Sequence, residues 1–207
     1  NVEGFEIRWF TPAVEVDLCG HATLAAAFVV FERGEVMKNQ VVFSSKSGVL
    51  KVDKNADGLA LDFPITVPVV SELPKWVKDV GGNPIEAYSC EDDFLLIYKS
   101  EEEIRTLSPN FTALKQVPVR GVICSARSEQ YDFVSRFFGP AAGINEDPVT
   151  GSAHTKLVPY WAGVLKKEKL FAKQISKRGG ELKCSLIGDR VQIKGNAQLF
   201  LVGQIYV

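Results

Sequence analysis

Residues 15–24 read Glu-Val-Asp-Leu-Cys-Gly-His-Ala-Thr-Leu, and residues 146–154 read Glu-Asp-Pro-Val-Thr-Gly-Ser-Ala-His. Each stretch sets a glutamate five positions ahead of a glycine, and each glycine is followed by one polar residue and an alanine. The likeness extends outward in the same order. Arg8-Trp9-Phe10-Thr11-Pro12 is echoed by Arg136-Phe137-Phe138-Gly139-Pro140 on the N-terminal side, and Phe43 to Lys51 by Ile175 to Lys183 on the other. Echoes that keep their order and nearly their separation mark an internal repeat, so the chain holds two copies of one fold unit.

Each copy reads alike. A strand (Phe5 to Phe10; Phe133 to Phe138) leads through a proline turn and an acidic loop into a helix, and further strands follow. The first helix, Ala22 to about Glu32, is apolar on every face, which predicts that it is surrounded rather than laid on a surface. The second, Ser152 to about Gly163, contains Pro159 and should kink there or stop short. Alternation in Val49 to Asp53 and Leu59 to Phe63 predicts strands. A helix wrapped by a curled sheet is the natural packing. The expected class is therefore α+β, with two pseudo-symmetric domains, each a β-barrel around a central helix. The Pro-rich stretch from Phe63 to Pro74 divides them into 1–72 and 73–195, with a strand over about 196–207 free to return to the first. The second copy has strands near Phe94 to Tyr98 and Val119 to Cys124 ahead of Arg136, whereas seven residues precede Arg8. The first domain is accordingly expected to be N-terminally incomplete, short by a hairpin and a helix, in a truncated chain.

Composition narrows the function classes. In 207 residues, 46% hydrophobic and 24% charged with a net charge of −1, nothing draws the protein electrostatically to nucleic acid or anionic membrane. The run Lys166-Lys167-Glu168-Lys169 reads as a solvated helix end. Four scattered cysteines form neither a disulfide framework nor a zinc ribbon, and no secretory signal or 18-residue apolar run occurs. A cytoplasmic protein with reduced thiols is expected. Dinucleotide, P-loop and nucleophile-elbow motifs are absent, and His21 and His154 share no metal-ligand spacing, so neither metal nor cofactor is expected.

The chemistry gathers at the two glycines. A helix start carries unpaired N–H groups and partial positive charge, and glycine lets a ligand approach the backbone. Two such starts, facing one another, would form a cup for a small anionic substrate, a carboxylate or developing enolate. Gly20 and Gly151 would supply the N–H groups, with Cys19 and Thr150 beside them. His21, Asp147 and Ser152 could move protons across the substrate. Taken singly, Ser152 and Thr150 suit helix caps, Asp147 suits a first turn, and Cys19 a small buried apolar site. The pairing is what points to function, because capping needs no second copy. Glu15 and Glu146 read as loop-holding acids.

R-W-F-T-P-x-x-E-V-x-L-C-G-H-A-T-L-A-A-A, with N-E-D-P-V-T-G-S-A-H-T downstream, closely resembles the phenazine-biosynthesis-like (PhzF) isomerase family, which is similar in fold to diaminopimelate epimerase. The resemblance covers nearly the whole chain. It implies cofactor-free and metal-free proton-shift chemistry in a cleft between two domains, usually in a homodimer. It carries the family's active-site histidine onto His21, its aspartate onto Asp147 and its serine onto Ser152. The family's principal acid/base, a glutamate in an S-E-T/S-x-F stretch ahead of R-W-F-T-P, has no counterpart in this sequence. The epimerase relatives use two opposed cysteines; Cys19 stands at the first such position and Thr150 at the second. Three readings follow: a PhzF-type isomerase acting on a small carboxylated metabolite, a cysteine-based epimerase or dehydratase using Cys19, or a truncated, inactive binding or interaction protein.

Overall fold

The computed structural model describes residues 4–10, 14–56 and 58–204. The turn expected at Thr11-Pro12 and residues 205–207 of the expected C-terminal strand lie outside them. Three two-residue strands, β1 (Phe5–Glu6), β2 (Trp9–Phe10) and β3 (Glu15–Val16), precede helix α1 (Gly20–Glu32). Three longer strands follow, β4 (Gln40–Ser45), β5 (Gly48–Asn55) and β6 (Gly58–Pro64). Then come β7 (Val69–Val70), a 3-10 turn (Lys75–Asp79), β8 (Glu86–Cys90) and β9 (Asp93–Ile97). Short helices α2 (Glu101–Thr106) and α3 (Phe111–Leu114) lead to β10 (Gly121–Arg127), β11 (Phe133–Gly139) and β12 (Ile144–Asp147). Helix α4 (Gly151–Leu165) is again followed by three strands, β13 (Lys169–Gln174), β14 (Gly180–Ile187) and β15 (Arg190–Gly195). The single strand expected over Phe5 to Phe10 is thus two, because β1 pairs parallel with β4 while β2 turns away to pair with β3. No helix among the described residues is long and apolar enough to cross a membrane.

The sheet differs from the expected pair of separate barrels. Strand pairing follows one open path, β1-β4-β5-β6-β15-β14-β13-β11-β10-β9-β8-β7, with β12 beside β11 and β2–β3 apart. The path is continuous because β6 and β15, the third strands after α1 and α4, pair antiparallel from Leu59↔Gly195 to Pro64↔Arg190. Each satisfies the other's edge N–H and C=O groups. Leu61 and Phe63 stand opposite Ile193 and Val191, all buried, and Arg190 donates to Asp62 at 2.7 Å across the joint. The apolar core is shared in the same way. One cluster takes Trp9, Leu24 and Phe43 from the first half, and Phe133, Leu157 and Trp161 from the second. A second cluster, including Leu96, Ile104 and Phe138, lies under α2 and α3.

The helices depart from expectation in opposite directions. Helix α1 is not surrounded: Thr23, Leu24 and Ala27 are buried against the strands and α4, but Ala25 and Val29 on its other side are exposed. Helix α4 is the enclosed one, with every residue from Gly151 to Val158 buried. It begins one residue earlier than expected and runs through Pro159 to Leu165. Proline at 159 has no N–H to give the Thr155 carbonyl, and that carbonyl instead accepts from the Thr66 N–H at 3.1 Å. The lost helix bond becomes a tie to the segment between the two halves. Lys166 ends the helix in the left-handed conformation (φ 51°), and the basic run after it is exposed as expected. Residues 196–204 form no strand. β15, which they follow, already has β14 on one edge and β6 on the other, so no free ladder is offered there.

Candidate functional site

The two repeated glycines begin the two long helices, and they touch. A methyl built on Gly20 would lie 3.0 Å from the Gly151 Cα and 3.6 Å from its nitrogen, and one on Gly151 would meet Gly20 at the same distances. Only glycine allows this approach at both positions. The preceding residues, Cys19 and Thr150, both have extended backbones, and neither gives its helix a side-chain cap. Neither first turn contains an acidic residue. Two helix starts therefore meet with their leading N–H groups unclaimed by caps, an arrangement that favours an anion.

The echoed arginines and glutamates hold the loops that deliver these glycines. Arg8 donates to both Glu15 oxygens at 3.0 Å, and Arg136 to both Glu146 oxygens at 2.7 and 3.0 Å. Each guanidinium also lies over the phenylalanine two residues on, Phe10 at 5.0 Å and Phe138 at 4.8 Å. These pairs are bidentate, which fixes direction as well as distance. Hydrogen bonds from Arg8, with Lys46 helping, hold the Glu15 carboxyl well below the usual range, at about 2.

A cavity of about 490 Å³ opens beside the helix starts. All seven residues singled out from the sequence line it: Cys19, Gly20, His21, Asp147, Thr150, Gly151 and Ser152. The Cys19 thiol lies 3.6 Å from His21 Nε2. That contact and the charge of Asp147, opposed by burial, leave the His21 imidazole more basic than usual. Thr150 spends its hydroxyl proton on Asp147 Oδ2 at 2.6 Å. The sequence reading did not find what fixes this pair. The buried Gln174 donates to the Asp147 carbonyl (2.7 Å) and the Thr150 hydroxyl (3.1 Å), and its own carbonyl accepts the Thr150 N–H at 2.8 Å. A signal for it existed, a polar residue at the inward phase of the alternating β13, where Leu170 and Ala172 are buried.

Arg120 was missed with no such signal, since it lies in a segment without an echo. It lines the cavity and donates to Ser152 Oγ at 3.2 Å. Its other hydrogen bonds run to Asp93, whose side chain is wholly enclosed, and Asp92 is an ion-pair partner at 2.8 Å. His154, two residues beyond Ser152 on α4 and so on another side of the helix, belongs to the core instead. It is fully buried with Nδ1 2.8 Å from the Thr150 carbonyl, and burial holds its imidazole down at about 4.

Known proteins resemble this chain in sequence and in fold. An uncharacterized isomerase of Pseudomonas aeruginosa is 50% identical over 204 residues, 98% of this chain and 78% of its own length. A crystal structure of a PhzF-family phenazine biosynthesis protein from Enterococcus faecalis superposes with a TM-score of 0.91 at 44% identity, covering 100% of this chain and 80% of that one. A predicted epimerase of Pseudomonas aeruginosa, at 18% identity over 98% of this chain and 79% of its own, has a TM-score of 0.70 and shows the fold alone. Residues 2–203 match the family described as phenazine biosynthesis-like protein, PhzC-PhzF, and the chain belongs to it.

Proposed function

We propose that the protein is a cofactor-independent isomerase of PhzF type that shifts a proton on a small carboxylated metabolite held between the starts of α1 and α4. The observation that carries this reading is the direct contact of two uncapped helix N-termini at Gly20 and Gly151, with His21, Asp147 and Ser152 on the same cavity. In this reading the backbone N–H groups take the carboxylate and the negative charge that develops when a neighbouring C–H is lost. Asp147, its Oδ2 occupied by Thr150, offers Oδ1 as acceptor; His21 passes the proton to or from solvent, and Ser152 donates to the ligand. We take residues 1–72 and 73–195 as two copies of one unit, each a sheet curled round its helix; the matching helix, hairpin and Arg–Glu pair in each half support this. The homodimer and the cytoplasmic location rest on the resemblance and on composition, and light scattering on the purified chain tests the former.

The thiol contact at 3.6 Å from His21 favours one second reading, in which Cys19 takes the proton itself. Thr150 in the place of a second thiol, with its hydroxyl committed to Asp147, argues against a two-thiol racemase. Deuterium incorporation from D2O into a panel of small carboxylic acids with an activated C–H decides between them. His21→Gln and Asp147→Asn should each slow exchange about 10²- to 10⁴-fold, whereas Cys19→Ala should not. Exchange lost only with Cys19 would overturn the first reading in favour of the second. The same assay on a chain extended upstream by an S-E-T-type segment measures what that glutamate adds.

A further inference from the structure

We propose that Arg120 is a positioning residue that makes Ser152 donate its hydroxyl proton into the cavity, so that the site selects ligands presenting an acceptor oxygen, a carboxylate above all, at that spot. This deepens the isomerase reading and rests on it for the carboxylated ligand. A guanidinium has donors and no acceptor. Its Nη2 lies 3.2 Å from Ser152 Oγ, so the serine oxygen must accept there, and its hydrogen is directed elsewhere. Among the described residues this is the only hydrogen bond that Ser152 Oγ makes, and Ser152 lines the cavity.

The arginine is held too firmly to follow the serine. Asp93 accepts from its Nε at 3.0 Å and from its Nη2 as well, an Asp92 carboxylate oxygen lies 2.8 Å from Nε as an ion-pair partner, and the Phe137 ring lies 5.5 Å from its central carbon. Asp93 sits at the start of β9, in register with Gly121 beside Arg120, and its side chain is 0% exposed. The second cation on Asp93 is Lys156 at 3.2 Å, itself 6% exposed. Lys156 lies one helical turn beyond Ser152 on α4, so the helix supplies both ends of a circuit whose middle is Asp93 on β9 and Arg120 just ahead of β10. One enclosed carboxylate thus ties Arg120 to Lys156, with Asp92 a second anion beside the guanidinium. Burial would make Arg120 easier to deprotonate, but Asp93, Asp92 and Asp147 outweigh it and keep the guanidinium charged.

The test is a double-mutant cycle read by calorimetric titration with benzoate, a planar carboxylate small enough for the cavity. Arg120→Gln and Ser152→Ala should each weaken binding about tenfold, the worth of one hydrogen bond to a charged group. The double variant should bind no more weakly than Ser152→Ala alone, a coupling that a merely structural role for Arg120 would not produce. If Arg120→Gln does not fold, Arg120→Lys, which keeps the charge and loses the planar fork, enters the same cycle. Additive losses, or no loss with Arg120→Gln, overturn the inference while leaving the isomerase reading intact. Failure of the wild-type chain to bind benzoate or any carboxylate of the deuterium panel overturns both.

Discussion

Placing a methyl at Gly20 tests whether the contact of the two helix starts is as close as the backbone requires. In Gly20→Ala the new carbon would lie 3.0 Å from Gly151 Cα and 3.6 Å from both the Gly151 nitrogen and the Phe63 ring. Carbon atoms rest comfortably at about 3.5–4.0 Å, so the helix starts must part by several tenths of an ångström. Neither side yields readily, because Gln174 holds the Thr150 N–H at 2.8 Å and the Phe63 side chain is fully buried. Overfilling a packed site costs about 1–3 kcal/mol, and alanine's helix preference returns up to about 1 kcal/mol. A net loss of about 1–2 kcal/mol follows, which lowers the melting temperature of a chain this size by roughly 2–8 °C. Benzoate affinity should fall with it, since the two sets of N–H groups no longer converge. Gly163→Ala in α4 is the control, for a methyl there meets nothing within 4 Å. It should raise the melting temperature by about 2–4 °C and leave benzoate binding unchanged. Calorimetric melts with and without benzoate measure both effects. Equal stability and equal binding in Gly20→Ala and Gly163→Ala would refute the reasoning.

Three further outcomes are expected. His154 has its folded value depressed from 6.5 to about 4, so its contribution is whole above pH 6.5, declines as pH falls, and is lost below about 4. Urea melts at pH 7 and pH 4 should therefore show wild type losing roughly 3 kcal/mol more than His154→Gln; parallel losses would contradict this. Glu146→Ala strands an arginine that is 13% exposed and should cost about 2 kcal/mol by urea unfolding, less the two carbonyl bonds Arg136 keeps to Ile104 and Leu107. The corresponding Glu15→Ala, beside an arginine that is 54% exposed, should cost clearly less, and the reverse order would refute the burial argument.

What the sequence reveals here depends on whether a feature repeats. The glycines, the Arg–Glu pairs and the hairpins at Ser45 to Gly48 and Gln174 to Gly180 occur twice, and each copy makes the other visible. Alternation from Leu59 to Phe63 marks β6 as a strand, but a period of two carries no information about which strand lies alongside. The continuous ladder was therefore hidden. The exposure of one face of α1 was hidden for a related reason, since alanines suit a buried and an open face about equally. Arg120 and its partners Asp93 and Lys156 stand far apart in the chain and outside any echo, and only the fold brings them to Ser152. Pro159 was legible as a lost helix bond, while the Thr66 N–H that takes its place was not.

The joint between β6 and β15 has a consequence for assembly. Antiparallel pairing of a strand with its own counterpart is what a two-fold axis produces, and the Gly20–Gly151 contact obeys the same rule. If the halves are two copies of one unit, as proposed above, both contacts are self-complementary. A chain carrying one copy alone would thus expose an edge shaped to fit a second molecule of itself. In the two-copy reading proposed above, carrying both halves on one chain makes that encounter independent of concentration. It also lets the two faces of the cup diverge, with Cys19 and His21 on one side and Thr150 and Ser152 on the other.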